Sequence, residues 1–176
     1  MRGLAFSGGA AFGAYQAGAW VEIRAAGWQP EVVSGISIGG VNAYLVAHRA
    51  TPEEMLRVWR EWPAELLPGR ERHFAPPWSK QAPMFLAWLD RIADTFGPRP
   101  LQARLRLEVL EALTLRQAVL EDDAIDAEAL VAVCALPGIL PPKRLHGKLC
   151  IDCGVLRYEP LRECLDVGAD EIISVN

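Results

Sequence analysis

The sequence predicts an α/β fold with a mainly parallel central sheet covered by helices on both faces. Three observations lead there. Short apolar runs at Leu4 to Phe6, Glu31 to Ser34, Leu105 to Val109, Leu149 to Ile151 and Glu171 to Asn176 are strand-length rather than helix-length. Segments with helical spacing or helix-start signals separate them. Glycine turns join the two kinds of element, and such alternation builds parallel sheets through crossover units.

Taken in order, Leu4 to Phe6 enters the turn Ser7-Gly8-Gly9, and a small-residue helix from about Gly13 stops near Gly27. Pro30 precedes the second strand, Glu31 to Ser34, and the glycines Gly35 and Gly39 flank the turn that leaves it for a helix containing Val41 to Ala47. Thr51 and Glu54 around Pro52 form a capping box, so a helix runs through Met55, Val58, Trp59 and Trp62. Prolines interrupt regular structure from Pro63 to Pro83, after which Phe85, Leu89, Ile92 and Phe96 recur at helical spacing until Gly97-Pro98. Leu105, Leu107 and Val109 alternate with Arg106 and Glu108, which predicts a strand with one wetter face. A helix from about Asp126, a strand ending at Asp152, a helix over Pro160 to Gly168 and a last strand complete the chain.

With 176 residues, the expectation is one domain over 1–176 with a variable, lid-like segment at about 50–100. Apolar residues make up 51% and charged residues 23%, far from disordered composition. The net charge is -4 and the 18 Lys and Arg form no block, so nucleic acid is not an expected partner. No apolar stretch approaches the ~20 residues of a spanning helix, so no transmembrane segment is expected. Ser7, Gly8, Gly9 and Gly13 break the first stretch that mimics a leader, and with four Cys read as reduced thiols the expected location is cytoplasmic.

Gly35-Ile36-Ser37-Ile38-Gly39 is a G-x-S-x-G pattern between a strand and a helix. Such a turn exposes the serine hydroxyl, while glycines on either side let strand and helix approach without side-chain collision. The following helix aims its amino end at the same place and favours negative charge there, as an acyl-transfer intermediate requires. Ser37 is therefore the candidate nucleophile. The loop Ser7 to Gly13 presents backbone amides to an anion. That physics serves an oxyanion, with the amide of Ile38 as a further donor, or a nucleotide phosphate. The G-x-G-x-x-G spacing and the lysine of a phosphate loop are missing.

Serine needs a base. The histidines, His48, His73 and His146, read as surface or capping residues. Asp152 ends a strand before Cys153-Gly154, and its carboxylate is expected at the same sheet edge as the serine turn.

The loop Ser7 to Gly13 with Ala14-Tyr15-Gln16-Ala17-Gly18, the elbow at Ser37, the run Ala135 to Pro142 and Asp152-Cys153-Gly154 together resemble the patatin-like phospholipase family, in the short form found in bacteria. The resemblance implies a three-layer α/β/α domain acting on lipid or other acyl esters without metal or cofactor. It implies Ser37 as nucleophile, Asp152 as base and the amides of Gly8, Gly9 and Ala10 as the oxyanion hole, with Gly13, Gly35, Gly39 and Gly154 as motif glycines. Ala10 stands where the family has a third glycine, Phe12 where it has a basic residue, Cys153 where glycine is usual, and Arg157-Tyr158 where Asp-Asn often follows. These departures keep a second expectation open, a catalytically impaired lipid-binding protein.

Two weaker signals remain. Cys150 and Cys153 form a C-x-x-C near His146 and Cys164, but strand geometry turns the two thiols apart, so small core residues are expected rather than zinc. Trp59, Trp62, Trp78 and Trp88 with Phe74, Phe85 and Phe96 are read chiefly as core, with peripheral membrane contact reserved for Trp78 and Phe74.

Overall fold

Strand β1 (Arg2–Phe6) lies next to one edge of a seven-stranded sheet, between β2 (Val32–Gly35) and the edge strand β7 (Glu171–Val175) and parallel to both. A computed structural model describes residues 1–63 and 81–176. The expectations for Phe74, Trp78 and His73 lie outside the described residues. Helix α1 (Gly13–Ala25) crosses from β1 to β2, and α2 (Ile38–Ala47) leaves β2 directly behind Ser37. Helix α3 (Pro52–Arg60) starts with the expected capping box, in which Thr51 N–H donates to Glu54 and Glu54 N–H donates to Thr51 Oγ1. Helix α4 (Gln81–Phe96) follows.

Strand β3 (Arg104–Glu111) organises the remainder. Along one edge it pairs antiparallel with β4 (Arg116–Glu121) from Arg106 to Glu111. Its other edge is shared: residues 104–107 pair parallel with β2, and residues 109–111 pair antiparallel with β6 (Lys148–Asp152). Strand β5 (Lys143–Leu145) closes a hairpin with β6 at the margin. Two strands of this antiparallel flank, β4 and β5, were not expected from the sequence. Helix α5 (Ala127–Val133) is capped by Asp126, whose carboxylate accepts from Ala129 N–H at 2.9 Å. Helix α6 (Leu161–Leu165) is shorter than the predicted Pro160 to Gly168.

Period-two alternation sends Leu4, Phe6, Val33, Leu105, Leu107 and Val109 to the face packed by α2 and α5, where the main core also takes in Trp59, Phe85, Trp88 and Phe96. Burial of these four aromatics agrees with their reading as core, each contributing about 1.5–3 kcal/mol by removal from water. The opposite face is covered by α6, whose Cys164 packs with Val32 and Ala169. This gives the three-layer α/β/α arrangement. One expectation is corrected here. Arg106 and Glu108 do occupy the second face of β3, yet it is not wet, since α6 and the segment before it bury both side chains.

Candidate active site

Ser37 follows β2 at φ 56° and ψ -131°, a conformation a non-glycine residue seldom adopts. The turn is locked by Gly39 N–H to Ile36 O and Gly40 N–H to Ser37 O, both 2.9 Å. Both motif glycines are required by contact: a Cβ on Gly35 would lie 2.4 Å from the Gly39 carbonyl, and one on Gly39 would lie 2.3 Å from that of Phe6. The hydroxyl therefore projects where strand, glycine loop and helix start converge.

Asp152 reaches the same place from the other direction. Because β6 runs antiparallel to β3, its end meets the end of β2 along one β3 edge, with Gly35 opposite Leu107 and Asp152 opposite Val109. The sequence reading located Asp152 at the correct rim but assumed a parallel strand. Asp152 is 1% exposed. Its Oδ1 accepts from Gly154 N–H at 2.7 Å, and its backbone N–H donates to Ala135 O at 3.0 Å. Burial raises the Asp152 pKa above the ordinary carboxylate value, and hydrogen bonding from the Ser37 hydroxyl and Gly154 opposes that rise. Asp152 Oδ2 is buried without a hydrogen-bond partner among the described residues.

Ser37 and Asp152 line one cavity of about 310 Å³ with Gly9 to Phe12, Ile38, Trp62, Phe85, Cys134, Leu136 and Ile139. Its wall is apolar apart from Ser37, Asp152 and the loop amides. A second depression of about 230 Å³, lined by Glu54, Arg57, Glu61 and Arg91 among others, has neither serine nor cysteine among its described lining residues. The sequence reading did not single out Cys134, Leu136 and Ile139 as cavity wall. Ala135 to Pro142 was visible only as a motif, and its place against Asp152 comes from the backbone bond just described.

The glycine loop departs from expectation at two positions. The Gly8 amide donates to the Tyr158 carbonyl at 3.3 Å, so it is already engaged. The amides of Gly9, Ala10 and Ile38 have no acceptor among the described residues. Ala10 sits at φ 50°, in the left-handed region that favours glycine. A buried polar chain, legible in the sequence only as Gln16 and Asn42 amid apolar neighbours, holds the loop from below. Gln16 Nε2 donates to Ser7 O at 2.7 Å. Asn42 Nδ2 donates to Gln16 Oε1 at 2.8 Å and Gly13 O at 2.9 Å, and Trp59 Nε1 donates to Asn42 Oδ1 at 2.8 Å.

No described histidine lines the cavity. His48 ends α2, buried rather than at the surface, with Nδ1 3.0 Å from the Arg99 carbonyl. His146 sits in the β5–β6 turn. Among the described residues no cluster of three or more His, Cys, Asp or Glu could hold a metal ion. The Cys153 thiol, its pKa pushed up to about 12 by burial, donates to Glu108, whereas Cys150 contacts the Lys148 carbonyl. No described helix is long and apolar enough to cross a membrane.

A family model described as patatin-like phospholipase matches residues 4–165. No curated protein sequence matches significantly. Among solved structures, the crystal structure of VipD from Legionella pneumophila superposes with a TM-score of 0.67 at 13% identity, over 98% of this chain and 48% of that one. The chain thus spans about half the length of that protein, and at this identity the likeness concerns the fold.

Proposed function

The chain belongs to the patatin-like phospholipase family, and from that premise we propose that it hydrolyses lipid-like acyl esters through Ser37 and Asp152. The observation that carries the reading is the pairing, in one apolar cavity, of a strained serine with the unpartnered buried oxygen of an aspartate. Asp152 Oδ2 takes the proton as Ser37 Oγ bonds to the ester carbonyl carbon. The amides of Gly9, Ala10 and Ile38 receive the oxyanion. Collapse breaks the bond to the leaving alkoxide, which takes the proton from Asp152 and leaves an acyl-serine. Water then attacks the acyl carbon, gives its proton to Asp152, and the acid departs as that proton returns to Ser37. The Trp62, Phe85, Leu136 and Ile139 wall suits an acyl chain, and Phe12, 80% exposed at the mouth, suits contact with a lipid surface.

A fluorophosphonate probe tests this. The expected result is one adduct, at Ser37, lost in Ser37→Ala together with hydrolysis of a short acyl ester. An unlabelled Ser37 in the folded wild type would overturn it. That outcome would favour the second reading, an impaired lipid binder, which the engaged Gly8 amide and the left-handed Ala10 support.

A further inference from the structure

We propose that Glu108 and Glu163 hold one proton between them and, with Arg157, form a buried clamp that fixes the 152–158 segment and thereby positions Asp152. Glu108 on β3 and Glu163 on α6 are 0% and 2% exposed, and one atom, Arg157 Nη1, lies 3.4 Å from Glu108 Oε2 and 3.3 Å from Glu163 Oε1. One guanidinium thus faces two buried carboxyls. Arg106, on the same face of β3, is committed to Glu121.

The polar accounting points the same way. Glu108 Oε1 and Glu163 Oε2 are both buried without a donor. Two neighbouring acceptors with no donor are satisfied together when one carboxyl is protonated and donates to the other. Burial and the adjoining Glu163 push the Glu108 pKa up to about 8, with Arg157 opposing, so the acid form persists at neutral pH. The surrounding groups are Arg106 on the same strand, Gln117 and Glu121 of β4, Cys153 and Arg157 from the segment after β6, and Glu163 and Cys164 of α6. Both thiols have raised pKa values through burial and remain neutral.

The clamp grips the active-site segment at two points. The Cys153 thiol, next to Asp152, donates to Glu108 Oε2 at 3.3 Å, and Arg157 adjoins Tyr158, whose carbonyl accepts from Gly8. Losing the proton leaves two buried carboxylates repelling each other beneath both parts of the site. These are positioning residues, and their effect on turnover rests on the reading of Asp152 as base.

Infrared titration and thermal unfolding of wild type, Glu108→Gln and Asp152→Asn test the clamp without requiring activity. A protonated-carboxyl stretch is expected near neutral pH in wild type and Asp152→Asn, disappearing as pH rises through about 8, and absent from Glu108→Gln. Below the unfolded-state value the raised pKa costs nothing, and as pH climbs toward the folded value stability is lost. The wild-type Tm should therefore fall relative to Glu108→Gln over that window. Absence of the band in wild type, or its survival in Glu108→Gln, would overturn the proposal, as would parallel Tm profiles. If Glu108→Gln does not fold, Glu163→Gln and the wild-type titration decide. With a short acyl ester, kcat of the wild type should drop about tenfold per pH unit above the clamp's pKa, a limb absent from Glu108→Gln, without a matching change in KM. A preserved band with no hydrolysis at any pH would count against the hydrolase reading and leave the clamp standing.

Discussion

Leu107 and Val109, two residues apart on β3, hold the ends of two different strands: Gly35 pairs with the first and Asp152 with the second. The strand leading to Ser37 and the strand ending in Asp152 approach head-on along one edge, and β3 sets their spacing.

Asp152→Asn should separate stability from activity. Hydrolysis is expected to fall by about 10³-fold or more, since serine and base act as a unit. The same change removes a buried carboxylate whose folded-state pKa lies above 3.8. That group's stability contribution is complete below its unfolded value and is lost as pH rises through the folded value. Asp152→Asn should therefore unfold at higher temperature than wild type at neutral pH, by about 2–4 °C per kcal/mol, with the gap closing in acid. Calorimetry across pH checks this.

In the wild type, the acid limb of kcat/KM should lie above the position of an ordinary aspartate, because protonated Asp152 accepts no proton from Ser37. A pH–rate profile with no such limb would remove Asp152 from the base role.

Ala10→Gly should stabilise the fold by about 1 kcal/mol, because alanine at φ 50° carries a left-handed penalty that glycine lacks. A urea midpoint at or below wild type would contradict the strain. Gly39→Ala should act in the opposite sense and cost about 3 kcal/mol or more, since its Cβ would meet the carbonyls of Phe6 and Ser7 at 2.3 and 2.4 Å. Both variants are read by the same denaturation curve.

Asn42→Ala should destabilise by about 2–4 kcal/mol. It strands the Trp59 indole N–H, the Gly13 carbonyl and the Gln16 amide oxygen in the core beneath the glycine loop. Urea unfolding gives the loss.

How much was legible in advance follows the range of the interactions. The serine turn, the Thr51 capping box, the Asp126 helix start and the Gly27 stop are written in a few adjacent residues, and each appears where the sequence puts it. Asp152 was found by its place at a strand end, although β6 runs opposite to the direction assumed. The alternation along β3 marks Arg106 and Glu108 as a separate face but does not reveal its burial, because nothing local to them announces α6 above.

The sequence by itself determined the α/β alternation, the turn that carries Ser37, and the glycines Gly35 and Gly39 that no larger residue can replace, all matters of backbone geometry within short segments. Only the tertiary structure decided that β2 and β6 meet end to end, that Tyr158 occupies the Gly8 amide, and that two glutamates share one arginine beneath the site. Strand register and burial arise from pairings between residues tens of positions apart, and no local pattern encodes which distant segment supplies the partner.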